Sequence, residues 1–462
     1  MPGEKYDLVV IGSGPAGQKG AICAAKLGKR VAIAQRGALV GGVCVHTGTI
    51  PSKSIREAVL YLTGFQQRTY YGQSYTLKER ISPRDLAFRV DANIERETQV
   101  IRAQLRRNRV ELFEGVAEFV DPYTVQVNGG GETKTLHTDF VLVACGTRPA
   151  RNPEIPFDGK RILDTDQLLS LEEIPREAIV VGAGVVGVEY TSMLAALGVE
   201  VTLLDQRPDL LDFLDREIVS ALSYHLRELG TIFRLGEKVT GVGIEAGRDR
   251  VYAKLESGKE VHGQVLIYAV GRQANGDLLN PGPAGLQPDD RGRLKVNEFF
   301  QTSVPHIYAA GDVIGFPALA STSMEQGRLS SCHMFGAPFS HSPELLPYGI
   351  YAIPEISMVG FTEEQLTREK RPYEIGVARY NELAKAQILG DEHGLLKLLF
   401  DPKSLKLLGV HIIGDRATEL IHIGQAALAF GGTIEYFRDA VFNYPTLAEA
   451  YKVAAFDGLN RL

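Results

Sequence analysis

The chain predicts an α/β fold with two Rossmann-like dinucleotide-binding domains followed by a smaller α+β domain, and three observations carry this. Residues 6–12, YDLVVIG, are an apolar run of strand length followed by the turn SGPAG, a small-residue helical stretch through Ala25 and a second strand-like run, RVAIAQ. Residues 178–189, AIVVGAGVVGVE, repeat the strand and glycine turn, and a helical stretch then leads to VEVTLLDQR. From about residue 346 the glycine turns stop, and strand-like runs (IYAIPEISMVG, LLKLLF, LKLLGVHIIG) alternate with helical patterns (ATELIHIGQAALAF, LAEAYKVAAF).

Each glycine turn has the spacing GxGxxG between a strand and a helix. Gly12, Gly14 and Gly17 form the first, and Gly182, Gly184 and Gly187 the second. The first glycine permits the tight turn, the second lets a pyrophosphate approach the backbone, and the third lets helix and strand pack closely. The phosphates would sit on the helix N-terminus. One such motif is weak, but two in one chain are a strong signal. In the first unit the strand ends at Gln35, where a carboxylate usually accepts from ribose; its amide oxygen retains one acceptor, so weaker anchoring is expected. In the second the strand ends at Asp205, placed to bond the 2′-hydroxyl of NAD and to repel the 2′-phosphate of NADP. Arg207 could reach that phosphate or could be an ordinary surface arginine.

Composition narrows the partners. The 462 residues are 44% hydrophobic and 23% charged, as expected of a soluble chain of two or three domains. Fifty Lys and Arg against 56 Asp and Glu give a net charge of -6, which disfavours nucleic acid and anionic membranes. No apolar run reaches the roughly 18 residues of a membrane span, and MPGEKYDLVV lacks the features of a cleavable leader, so a cytoplasmic location is the default. Four scattered cysteines exclude a disulfide framework or zinc ribbon, and no metal is expected. Cys23, Cys145 and Cys332 read as small apolar residues. Residues 84–107 alternate charge with apolar positions at helical spacing and read as a solvated surface helix.

The stretch GGVCVHTGTIPSK, residues 41–53, carries the chemistry. It closely resembles the active-site segment GG-x-C-x4-C-I-P-S-K of the FAD-dependent pyridine nucleotide-disulfide reductases. Cys44 occupies the first cysteine position, but Thr49 stands at the second. A dithiol relay needs both sulfurs, one to attack the substrate disulfide and one to resolve the mixed intermediate. Near the C-terminus the family motif H-P-T-x-x-E reads FNYPTLAEA, with Glu449 retained and Tyr444 at the histidine position. Tyrosine, with an ordinary pKa near 10, does not handle a thiol proton at neutral pH.

The resemblance spans essentially the whole chain and implies its organisation. An FAD-binding domain would take 1–150 and 281–345, an NAD(P)-binding domain 151–280, and a homodimerisation domain 346–462, with higher homo-oligomers open. FAD would lie against Gly12, Gly14, Pro15, Ala16, Gly17, Gln35, Arg36, Gly41, Gly42, Val43, Cys44, Thr49, Lys53 and Ala117. TDFVLVACGTRP would add Ala144, Gly146 and Thr147, and HIYAAGDVIG would add Asp312 toward the ribityl chain. A helix beginning near Ala318, with Ala320 in its first turn, would aim its N-terminus at the flavin ring. NAD(H) and NADP(H) would use Gly182, Gly184, Val185, Val186, Gly187, Asp205 and Arg207, with Gly271 and Arg272 closing that domain. Glu189 would pair with Lys53 beside the flavin, and these two are the expected catalytic residues.

The combination GGxC-x4-T-IPSK with FNYPT-x-AEAY looks like the branch of that family that transfers hydride between NADPH and NAD+ through FAD without a redox-active disulfide. One nicotinamide pocket used twice suffices. Three alternatives stand beside this: an FAD-dependent NAD(P)H:quinone or dye reductase, a dihydrolipoamide dehydrogenase-like protein without disulfide activity, and a non-catalytic redox-responsive scaffold.

Overall fold

The computed structural model describes residues 4–72, 74–168, 171–245, 247, 250–339, 345–391 and 393–462. The chain divides into two compact units, one of Met1–Ser54, Ala87–Ala150 and Gly271–His341, the other of Ile55–Leu86, Arg151–Val270 and Ser342–Leu462.

The first unit is built on a parallel sheet. Strand Glu4–Ile11 lies between Val31–Gln35 and Glu132–Val143, with Val9 opposite both Ala32 and Val141. Glu111–Glu114 extends one side and Ile307–Ala309 the other. Leu8, Val9, Val10 and their neighbours Val31 to Ile33 are almost wholly buried, as expected of strands covered on both faces. The strand Glu132–Val143 also pairs antiparallel with Thr124–Gly129, which pairs with Val116–Asp121. The expected helix after the first glycine turn spans Pro15–Lys26, with Pro15 at the position that tolerates a missing N–H.

That helix packs against Ala320–Met334, and small residues set how closely. A Cβ on Gly327 would stand 2.0 Å from the carbonyl oxygen of Ala16, and one on Gly20 would strike Leu142. This second helix, expected to begin near Ala318, starts at Ala320. Cys23 and Cys332 meet across this packing with sulfurs 3.7 Å apart, so Cys23 is a half-buried thiol with a thiol neighbour rather than an isolated apolar residue. Residues Pro83–Arg107 form one helix, solvated except for the stripe Val90, Ile101 and Leu105.

In the second unit the parallel order is Ile232–Leu235, Glu200–Asp205, Glu177–Val181, Val265–Tyr268, Ile162–Asp164. Helix Val185–Ala196 follows the second glycine turn and is buried from Gly187 to Ala196. A three-stranded antiparallel meander, Val239–Ile244, Val251–Leu255 and Glu260–Gly263, accompanies it. The C-terminal part is an antiparallel sheet in the order Tyr348–Ile350, Ile356–Gly360, Leu407–Ile413, Leu395–Phe400, Glu374–Arg379, backed by helices Ala417–Ala429 and Glu449–Leu459.

Candidate active site and nucleotide sites

The first glycine turn is shaped by its sequence at atomic level. Gly12 has φ of 105°, and a Cβ there would lie 2.3 Å from the oxygen of Ala144; a Cβ on Gly17 would lie 1.9 Å from the oxygen of Gly12. Gly14, by contrast, faces open space. It caps helix Pro15–Lys26 without any side-chain hydrogen bond, and no acidic residue occupies the first turn. The first N–H groups of that helix are therefore left for an anion. Gly42 approaches the same backbone, its would-be Cβ 3.3 Å from the Cα of Gly14.

Ser13 ties this turn to the active-site segment. Its N–H and hydroxyl both donate to Oε1 of Gln35, at 2.8 and 2.6 Å, and its hydroxyl oxygen accepts from the N–H of Gly41 at 3.0 Å. Both acceptor positions of the Gln35 amide are thus used inside the loop, and Nε2 donates to the carbonyl of Arg36. The acceptor expected to face ribose is turned inward, because Ser13 supplies two nearer donors. Ser13 is a residue that sequence reasoning passed over; a hydroxyl inside GxGxxG was its one signal.

Gly41 and Gly42, with φ of 106° and 61°, turn the chain into the short helix Gly42–His46, which carries Val43 and Cys44. Thr49 opens the next helix, Thr49–Leu62, so Cys44 and Thr49 end up neighbours across the intervening turn. The Thr49 hydroxyl donates to the Cys44 sulfur, yet burial outweighs it and holds the thiol above its ordinary pKa. Lys53, half-buried on that helix, reaches Ser52 Oγ at 3.3 Å.

Thr147, Arg272 and Asp312 come together in the first unit. Arg272 Nε donates to Thr147 Oγ1 at 2.8 Å, and the Thr147 hydroxyl donates to Asp312 Oδ2 at 3.3 Å. Burial raises the Asp312 carboxyl above its usual range, and the Arg272 guanidinium works against this. Gly146 and Gly271 take positive φ beside this group, each immediately before one of the two short strands Thr147–Pro149 and Arg272–Ala274 that pair antiparallel. Helix Ala320–Met334 begins without a side-chain cap or an acidic first turn. Ala144 is buried, Arg36 is exposed, and Ala117 is buried in the core opposite Val127. These uncapped N-termini, the open Gly14 and the polar cluster fit an anionic dinucleotide such as FAD.

The second turn repeats the geometry. Gly182 has φ of 108°, a Cβ on Gly187 would lie 1.8 Å from the oxygen of Gly182, and Gly184 caps helix Val185–Ala196 without a side-chain bond. Val185 and Val186 form the first helical turn, with Val186 exposed. Asp205 ends its strand with Oδ2 accepting from the N–H of Ala183 at 2.6 Å. Arg207 folds back on it, Nη2 to Oδ2 at 2.9 Å, and the same Nη2 lies 4.0 Å from where a Gly184 Cβ would be. Burial alone would raise the Asp205 pKa, but the Arg207 bonds prevail and hold it low. Glu189, 4% exposed, accepts at Oε1 from the N–H of Tyr351 at 2.9 Å. The open turn, the free helix N-terminus and the adjacent guanidinium fit a nicotinamide dinucleotide. Tyr444 is 74% exposed, and Glu449 begins helix Glu449–Leu459.

Two glycine turns on two parallel sheets, joined to a GGxC-x4-T-IPSK segment, define a two-dinucleotide flavoprotein, and the chain belongs to the pyridine nucleotide-disulphide oxidoreductase family. The family profile matches residues 6–327, and the profile of its dimerisation domain matches 346–455. The relatives narrow the branch: the chain is 55% identical over 460 residues to the soluble pyridine nucleotide transhydrogenase of Mycobacterium bovis, covering 99% of this chain and 98% of that one. It is 45% identical to the protein of the same name from Klebsiella pneumoniae, with the same coverage. Among solved structures, LpdA of Mycobacterium tuberculosis superposes with a TM-score of 0.89 at 26% identity, covering 98% of this chain and 99% of that one. The HOCl-induced flavoprotein disulfide reductase RclA of Escherichia coli superposes at 0.87 and 25%, with the same coverage.

Proposed function

We infer that this chain is a flavoprotein transhydrogenase that carries hydride from NADPH to NAD+, giving NADP+ and NADH with no net proton. The observation that carries the reading is the full-length likeness to soluble pyridine nucleotide transhydrogenases, together with Cys44 paired to Thr49 where a dithiol would need two sulfurs. When bound, FAD supplies the two-electron carrier between the two nucleotides. The chain's own residues bind and orient. The uncapped helix at Gly14 would hold one pyrophosphate and that at Gly184 the other. Asp312, with Thr147 and Arg272, would hold the flavin's polyol, and the uncapped helix at Ala320 would supply positive potential to the bound cofactor. We assign Lys53 and Glu189 as the charged residues of the reaction, and the carboxylate of Glu189 is fixed by the N–H of Tyr351. Tyr444 in place of histidine leaves no general base for a thiol.

We assign a homodimer through residues 346–455, where Phe430, Tyr436, Val441 and Tyr444 stand exposed. Among the described residues no helix is long and apolar enough to cross a membrane, which is consistent with the cytoplasmic placement we propose. Anaerobic titration of the yellow protein with NADPH, then NAD+, tests the function. Bleaching of the flavin spectrum followed by its return with stoichiometric NADH is expected. Bleaching that only a quinone or dye reverses would overturn it in favour of a reductase.

A further inference from the structure

The last turn of helix Arg216–Glu228 carries a second group of chemistry-bearing side chains that the nucleotide sites do not use. His225 is 6% exposed, and neither of its ring nitrogens has a hydrogen-bond partner among the described residues. Burying an imidazole with donor and acceptor both unmet is unfavourable, and such a group needs an explanation. Glu228 lies three residues on, on the same face of the helix. His393 comes from the loop before strand Leu395–Phe400; its ring centroid is 4.7 Å from that of His225, and its Nδ1 is 3.9 Å from Glu228 Oε2. One ligand atom from each of the three lies within 4.8 Å of the others.

We propose that His225, Glu228 and His393 form a binding site for one divalent first-row transition ion of the zinc or copper class. Two imidazoles and one carboxylate are a borderline-soft donor set that suits Zn2+ or Cu2+ and not Mg2+ or Ca2+, which take oxygen ligands. Three protein donors leave a further position for water. The edge of Phe65, 6.1 Å away, gives the floor of the site an apolar wall. The carbonyls at the helix C-terminus add negative potential. Glu228 and His393 are 42% and 47% exposed, so an ion enters from solvent and His393 closes on it by a change of rotamer. Bound there, the ion would tie the helix to the loop that leads into strand Leu395–Phe400.

The test uses the FAD-loaded, full-length protein after treatment with chelator. Calorimetric titration with ZnCl2 should show one equivalent bound, and His393→Ala and Glu228→Gln should each weaken it at least tenfold while NADPH to thio-NAD turnover stays unchanged. One equivalent of Cu2+ should give an electron paramagnetic resonance spectrum split by two nitrogen donors in the parent and by one in His393→Ala. Because a variant can fail for other reasons, crystals of the unaltered protein soaked in Zn2+ give a second reading, with an anomalous peak expected between His225 and His393. Equal affinity in parent and variants, or an anomalous peak only at other residues, would overturn the proposal.

Discussion

Arg207 closes on Asp205 with two side-chain bonds, Nη2 to Oδ2 at 2.9 Å and Nε to Oδ1 at 3.2 Å, at the strand end we assign to a nicotinamide nucleotide's ribose. A bare carboxylate there would favour a 2′-hydroxyl and reject a 2′-phosphate. A carboxylate neutralised by a neighbouring guanidinium does neither strongly, which is what an enzyme admitting both NADPH and NAD+ to one pocket requires.

Replacing Asp205 with Ala should free Arg207 and shift binding toward NADP(H) by about 1 kcal/mol, roughly fivefold, since Arg207 is 40% exposed and partly screened. Arg207→Ala should shift it the other way. The ratio of dissociation constants, read from NADPH and NADH fluorescence, decides. Ratios unmoved in both variants would show that the pair faces away from the nucleotide.

The two glycine turns should fail separately. A Cβ at position 17 or 187 would sit within 2 Å of a backbone oxygen that cannot retreat without moving a strand. Gly17→Ala is expected to give colourless protein lacking FAD. Gly187→Ala should stay yellow yet bind NADPH and NAD+ at least a hundredfold more weakly. A yellow Gly187→Ala protein with ordinary nucleotide affinity would remove the second turn from the mechanism.

The glycine turns and the flanking strands were legible because they obey local rules: an apolar run, a required positive φ, and a helix that starts with small residues. Strand Glu374–Arg379 was not, since EIGVAR carries a glycine in its middle, a residue that weakens strands. The glycine is required by packing: a Cβ on Gly376 would lie 2.0 Å from the oxygen of Ala454 on the last helix. Nothing local signals such a contact. Gln35 and Asp205 show the same limit in the site. Their positions at strand ends were readable, but that Ser13 occupies one and Arg207 the other depends on side-chain geometry.

Lys397 interrupts the apolar run LLKLLF and is fully buried, its Nζ 3.0 Å from Asp215 Oδ1, 3.1 Å from Glu217 Oε2, and bonded also to Glu363. Despite the burial that opposes it, the surrounding carboxylates raise its pKa, so its contribution is complete below the ordinary lysine value near 10.4 and is lost as pH rises through the folded value. Asp215, held low against its burial by His411 and Lys397, contributes above about pH 4, and that part is lost as pH falls through its depressed value. Lys397→Met should destabilise by about 3–5 kcal/mol at neutral pH, because it removes the ammonium bonded to the buried Asp215 carboxylate. Urea melts across pH check both statements. A variant within 1 kcal/mol of the parent would show the network to be neutral.

Cys44 stands beside Thr49 at the start of the helix pair that carries Lys53. Its sulfur is half-buried, and burial raises its pKa more than the donating hydroxyl of Thr49 lowers it, so at neutral pH it is a thiol rather than a thiolate. A neutral thiol neither attacks a disulfide nor donates charge to a flavin. The protein as isolated should therefore show no long-wavelength thiolate-to-flavin band at pH 7, and such a band should emerge only as pH rises above about 8.5, the ordinary cysteine value. Cys44→Ser should keep FAD and at least half of the NADPH to thio-NAD turnover, since the hydroxyl fills the same space and takes the same bond from Thr49. Lipoamide and glutathione disulfide should remain unreduced by either form, because the second sulfur is absent at Thr49. If the serine protein binds FAD normally but transfers no hydride, sulfur takes part in the reaction and the thiol-free mechanism fails.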